Sequence, residues 1–94
     1  MRLILYSKPG CHLCEGLQEK LAAVRQIEID LEVRDITTRP EWFEAYQYTI
    51  PVLCRQIETA NGMQEVVLPR LSPRAPVSQL ERLLQTAGAA GRAE

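Results

Sequence analysis

Within seven residues the chain changes its hydrophobic period, and two thiols sit at the change. Leu3-Ile4-Leu5-Tyr6 is a short continuous apolar run of the kind that fills a buried strand. Pro9-Gly10 breaks it. From Cys11 onward Leu13, Leu17, Leu21 and Val24 recur at helical spacing, while Glu15, Gln18, Glu19 and Lys20 fall elsewhere on the wheel. Cys11-His12-Leu13-Cys14 therefore opens a helix, expected from Cys11 to Arg25, directly behind a strand. The first turn of a helix has unpaired N–H groups and the positive end of the dipole, and both favour an anion. Thiolate is the reactive form of cysteine. Cys11 is thus placed to be a nucleophile, and Cys14, one turn on, to close a disulfide with it.

The helix-end effect has a bounded size. At about 0.3–2 kcal/mol, and about 1.4 kcal/mol per pKa unit, it moves a thiol by about one unit. A second cation is needed to make the sulfur mostly thiolate at neutral pH. Lys8 and a protonated His12 are the candidates, and both are assigned a tuning role.

The remaining elements follow from pattern. Ile27, Ile29, Leu31 and Val33 alternate with Glu28, Asp30, Glu32 and Arg34, predicting a second strand that ends near Ile36. Thr38 and Glu41 have capping-box spacing and Pro40 suits a first helical turn, so a short helix carrying Trp42, Phe43 and Tyr46 in the core is expected. Pro51-Val52-Leu53-Cys54 opens a third strand, with Cys54 packed as a small hydrophobe. Asn61-Gly62 signals a hairpin into a fourth strand at Val66-Val67-Leu68. Pro69 to Pro76 is a loop, and Val77, Leu80, Leu83 and Leu84 stripe a last helix. The expected fold is α/β, in the order β-α-β-α-β-β-α, with a four-stranded mixed sheet and helices on both faces. The first two strands should be parallel, as a strand–helix–strand connection requires. One domain, 1–86, is expected, followed by a flexible Ala/Gly-rich tail, 87–94.

Composition removes several classes of function. The 94 residues suffice for one core. Eleven basic against 12 acidic residues give a formal charge of −1, so no long-range attraction to nucleic acid or an anionic membrane is expected. No apolar stretch approaches membrane-spanning length. Three cysteines do not make an even disulfide framework, and no leader is read before Leu3, so a cytoplasmic protein is expected.

A CxxC after the first strand of a β-α-β unit resembles a thioredoxin-like redox site. Leu5-Tyr6-Ser7-Lys8-Pro9-Gly10-Cys11 resembles the active-site approach of glutaredoxins, Thr49-Ile50-Pro51 their Thr-Val-Pro element, and Asp35-Ile36-Thr37 their second-strand ending. The chain is most similar to small glutaredoxin-like proteins with a Cys-x-Leu-Cys site. The resemblance implies a thioredoxin/glutaredoxin-like fold and a thiol–disulfide oxidoreductase. In it Cys11 attacks a disulfide and Cys14 resolves the mixed disulfide. It also implies a cis Ile50–Pro51 bond facing the thiols, where the backbone of Ile50 pairs with an extended substrate. Thr49, Ile50, Pro51 and Tyr6 then contact substrate.

The chain departs from the family before its last helix. The Gly-Gly element that holds glutathione is replaced by Leu68-Pro69-Arg70-Leu71-Ser72-Pro73-Arg74, and close backbone approach is harder without glycine. No bound cofactor is expected, and glutathione enters as a possible reductant only. Arg70 and Arg74 are alternative carboxylate ligands. The expected partner is a disulfide-containing protein or a glutathione mixed disulfide, met by a monomer. Two rival functions stand beside this one. The first is an iron–sulfur or metal carrier using Cys11, although half of a CxxC-based zinc site is missing and no metal ligand set is assigned. The second is a non-catalytic interaction module on the same scaffold.

Overall fold

The computed structural model describes residues 1–92, with side chains to residue 86. Its elements are β1 (Arg2–Ser7), α1 (His12–Ala23), β2 (Asp30–Asp35), a 3-10 turn at Ile36–Thr38, α2 (Pro40–Tyr46), β3 (Val52–Thr59), β4 (Gly62–Val67) and α3 (Val77–Arg92). They follow the expected order. The four strands lie as β2-β1-β3-β4, with β1 and β2 parallel and the other two pairs antiparallel. The expected tail, 87–94, overlaps the last turns of α3, and positions 93 and 94 lie outside the described residues.

The central strand explains the unbroken apolar run. From Leu3 to Ser7 every residue of β1 is buried, because both faces of the sheet are covered. On one face Leu3, Leu5 and Leu53 pack with Leu21 of α1 and with Leu80 and Leu84 of α3. On the other, Ile4, Tyr6, Val52 and Cys54 pack with Ile36, against Trp42 and Tyr46 of α2. Cys54 is fully buried, as a small apolar residue would be.

Several boundaries differ from the sequence reading, each for a local reason. β2 begins at Asp30, not Ile27, because its partner β1 begins at Arg2 and the register pairs Arg2 with Asp30. Ile27 and Ile29 pack on the core without a ladder. α1 stops at Ala23, two residues short of Arg25, and the carboxylate of Glu81 on α3 accepts from the backbone N–H of Arg25 at 3.1 Å. The capping box is not formed. Arg39 is the N-cap of α2 and makes no side-chain cap bond, while Thr38 Oγ1 donates to the Asp35 carbonyl at 2.7 Å. Asp35 caps the preceding 3-10 turn instead, accepting from Thr37 N–H at 2.9 Å and from its hydroxyl. Those two bonds, the hydroxyl first, hold the Asp35 carboxyl below its ordinary range.

Trp42, Phe43 and Tyr46 do not share one fate. A helix of seven residues presents a single face, and residues 42 and 46, four apart, occupy it. Phe43 falls off that face and is 41% exposed. β4 starts earlier than expected, at Gly62, and is exposed throughout as an edge strand. The hairpin turns at Ala60-Asn61, with Gly62 at φ +108, a region favoured by glycine.

Candidate redox site

The site is assembled where β1 ends. Gly10 takes φ +79 and lets the chain reverse from strand into helix. The Cys11 N–H then donates to the Lys8 carbonyl at 3.3 Å, closing the turn. Cys11 is the N-cap of α1 in extended backbone. Its carbonyl accepts from Glu15 N–H at 3.0 Å, and its Sγ accepts from Cys14 N–H at 3.2 Å. The sulfur stands where a Ser or Asp oxygen commonly caps a helix. Cys11 and Cys14 are joined as a disulfide with Cα atoms 5.3 Å apart. The two sulfurs are unequally exposed. Cys14 is 3% exposed, and Cys11 stands only partly covered.

The tuning candidates lie on the surface. Lys8 meets Cys11 through its main chain, and its side chain is exposed. The His12 imidazole is 95% exposed, with Nδ1 3.7 Å from Glu15 Oε2, on the solvent side of the first turn. 

The Thr49-Ile50-Pro51 segment is held from behind by α2. The Tyr46 carbonyl accepts from Thr49 N–H at 3.0 Å and from Ile50 N–H at 3.2 Å, and the Ile50–Pro51 peptide is cis. The Ile50 N–H is thereby engaged within the chain. Arg70 crosses to this segment, its Nη1 donating to the Thr49 carbonyl at 2.6 Å. Arg74 does not: its backbone N–H is tied to Ser72 Oγ at 3.3 Å, within its own loop.

Tyr6 is not at the surface beside the sulfurs. It is 3% exposed beneath α2, its ring centroid 4.4 Å from that of Tyr46 and 5.8 Å from that of Trp42. Its hydroxyl donates to Glu65 Oε1 and accepts from Arg34 Nη1 at 2.9 Å. Burial, then the bond to Glu65, drives the phenol well above its ordinary range, so it stays protonated. Arg34 also pairs with Glu65 at 3.1 Å and stacks over Trp42 at 5.1 Å. This cluster was not read from the sequence, because its members lie 28 and 59 residues from Tyr6 and nothing local links them.

Beside the thiols opens a groove of about 490 Å³. Leu13 and Leu17 of α1, Pro51, and Leu71 and Leu83 from the α3 side form much of its wall. Lys20, Leu13 and Leu71 were not singled out as site residues. Leu13 shares the helical spacing of Leu17, Leu21 and Val24, yet it is 50% exposed and lines this opening. Among the described residues no three His, Cys, Asp or Glu side chains gather as a metal site, and no helix is long and apolar enough to cross a membrane.

With that geometry in view, the relatives can be placed. Residues 2–85 match the family described as Glutaredoxin-like domain (DUF836). The chain belongs to this glutaredoxin-like family. Among solved structures, the glutaredoxin-like chain is similar to the structural-genomics target protein XcR50 from X. campestris. Identity there is 26% and the TM-score 0.58, over 89% of this chain and 96% of the other. It also shares the fold of thioredoxin 1 from the thermophilic eubacterium Thermosipho africanus TCF52B. That match has 16% identity and a TM-score of 0.61, over 98% of this chain and 99% of the other. No curated protein matches. The thioredoxin-like architecture and the glutaredoxin-like family are thus both in hand for this chain.

Proposed function

We propose that this glutaredoxin-like protein is a thiol–disulfide oxidoreductase that reduces protein or mixed disulfides. The observation that carries the reading is the position of Cys11 Sγ, which caps α1 and accepts the Cys14 N–H at 3.2 Å, with Cys14 buried behind it. In the reduced protein the Cys11 thiolate attacks one sulfur of a substrate disulfide. The other sulfur leaves as a thiolate and takes a proton from solvent. Cys14 then loses its proton and attacks Cys11 Sγ. The second substrate thiol is released and the Cys11–Cys14 disulfide forms. Substrate has gained two electrons and two protons; the protein has lost two electrons and the Cys14 proton, and solvent has supplied the other proton. An external thiol reductant, glutathione or a dithiol protein, returns them.

Helix-end donors favour the thiolate at Cys11, and burial keeps Cys14 protonated until its turn. The Ile50 carbonyl offers one main-chain partner to an extended substrate. Lys8 and His12 remain the proposed source of further positive charge beside the thiolate. The cytoplasm, where such a pair is kept reduced, is the proposed setting.

Two measurements test the reading. Reduction of insulin and of a glutathione mixed disulfide should be lost in Cys11→Ser. The Cys14→Ser variant should accumulate a mixed disulfide at Cys11, detectable by mass. Equal inertness of wild type and Cys11→Ser toward both substrates would refute the activity, and absence of an adduct in Cys14→Ser would remove Cys11 as the attacking group.

A further inference from the structure

We infer that the groove beside the redox pair selects an extended protein segment that places an apolar side chain, with an acidic residue near it, next to the substrate cysteine. The inference rests on the oxidoreductase reading above and adds the class of substrate. Three observations support it.

The first is the floor. Leu13, Leu17, Pro51, Leu71 and Leu83 line it, and Leu13 is half-exposed among the described residues. Burying carboxylate, ammonium or amide groups against these apolar side chains costs free energy, because the side chains themselves offer no hydrogen-bond partners. An aliphatic or aromatic side chain gains there in proportion to the area it covers. Glutathione, which is nearly all charge and amide, matches this floor poorly.

The second is charge. Among the described residues, the ionisable side chains lining the groove are His12, Lys20, Tyr46 and Arg70, none of them acidic. Lys20 Nζ donates to the Pro73 carbonyl at 2.5 Å and Arg70 to the Thr49 carbonyl at 2.6 Å. Among the described residues neither is paired with a carboxylate. Both cations are therefore fixed by neutral main-chain acceptors, and each keeps donors for an acid.

The third is continuity. His12 and Leu13 stand between the two cysteines in sequence, and Pro51 adjoins the Ile50 carbonyl. A strand pairing with that carbonyl would lay the side chains flanking its cysteine along the groove.

The test uses the fully reduced full-length protein in excess, so that Cys11 and Cys14 supply both electrons in a single turnover. The substrates are octapeptides with one cysteine in mixed disulfide with an aromatic thiol, whose release is followed by absorbance. One peptide carries Leu and Glu beside the cysteine, one Leu and Lys, one Ser and Glu. Glutathione in the same mixed disulfide is the fourth substrate. The Leu/Glu peptide should react about tenfold faster than the Ser/Glu peptide, the usual scale for an apolar pocket, and faster than the Leu/Lys peptide. Lys20→Glu should invert the Glu-over-Lys preference, and Leu13→Asp, at a half-exposed position, should abolish the Leu-over-Ser preference. Equal rates for all three peptides, with Cys11→Ser inert, would overturn the groove's selectivity while leaving the oxidoreductase reading intact. A fastest rate with the glutathione substrate would overturn it in favour of a small-thiol site. No reaction with any of the four would bring down both readings.

Discussion

At Gly10 the structure demands a dihedral and not a vacancy. The residue has φ +79, and a Cβ built there meets nothing within 4 Å. Gly10→Ala should then cost about 1–2 kcal/mol through left-handed backbone strain alone, and Gly10→Asn less, because Asn tolerates that region. Chemical denaturation of the two variants checks the order. Lys8 acts, if it tunes the thiol, through its charge, since its carbonyl already serves the turn. Lys8→Ala should move the thiolate absorbance titration of reduced Cys11 to higher pH, and an unmoved titration would exclude the side chain from the mechanism. The thiols themselves were legible in the sequence because their chemistry is local: a cap, a turn of helix and a spacing of three. Tyr6 was not legible. Its neighbours in sequence place it beside the site, but the alternation of β1 sets it with Ile4 on the face under α2, where Arg34 and Glu65 hold its hydroxyl.

Elements obeyed the sequence where their period was long and failed where it was short. The α1 and α3 stripes and the β1 run were readable because burial on one face, or on two, imposes a repeat. Start and stop residues depended on partners that no local window contains, as with Met1, whose carbonyl accepts from Asp30 N–H at 2.9 Å and fixes where β2 begins. The Thr38–Glu41 spacing failed as a cap because Asp35 already engages Thr37 and Thr38. Energetic weight is also uneven between elements. Leu84 of α3 is fully buried, so Leu84→Ala should destabilise by about 2–5 kcal/mol. Phe43 on α2 is 41% exposed, and Phe43→Ala should cost about 1 kcal/mol or less. Denaturant midpoints for the pair test whether the α3 side of the sheet dominates stability.

The whole molecule distributes its polar groups so that alkaline pH attacks one face of the sheet. Burial, reinforced by Glu65, pushes the Cys54 thiol up to about 11, and Tyr6 and Tyr46 on the same side are also raised, each chiefly by burial. In the unfolded chain the Cys54 thiol loses its proton first, at its ordinary value, while the native thiol keeps it. The unfolded state then binds fewer protons, and stability is complete below about pH 9 and declines between about pH 9 and about pH 11. Cys54→Val should flatten that decline, measured by denaturation across the interval; an unchanged slope would assign the loss elsewhere. The sulfur at the start of α1 has a different consequence. Because one atom both tethers an amide and undergoes exchange chemistry, every change in its bonding is felt by the coil it fastens. Blocking Cys11 of the reduced protein with a bulky alkyl group should let the first turn fray and speed deuterium uptake at the Cys14 amide, so that this single N–H reports which stage of turnover the protein occupies.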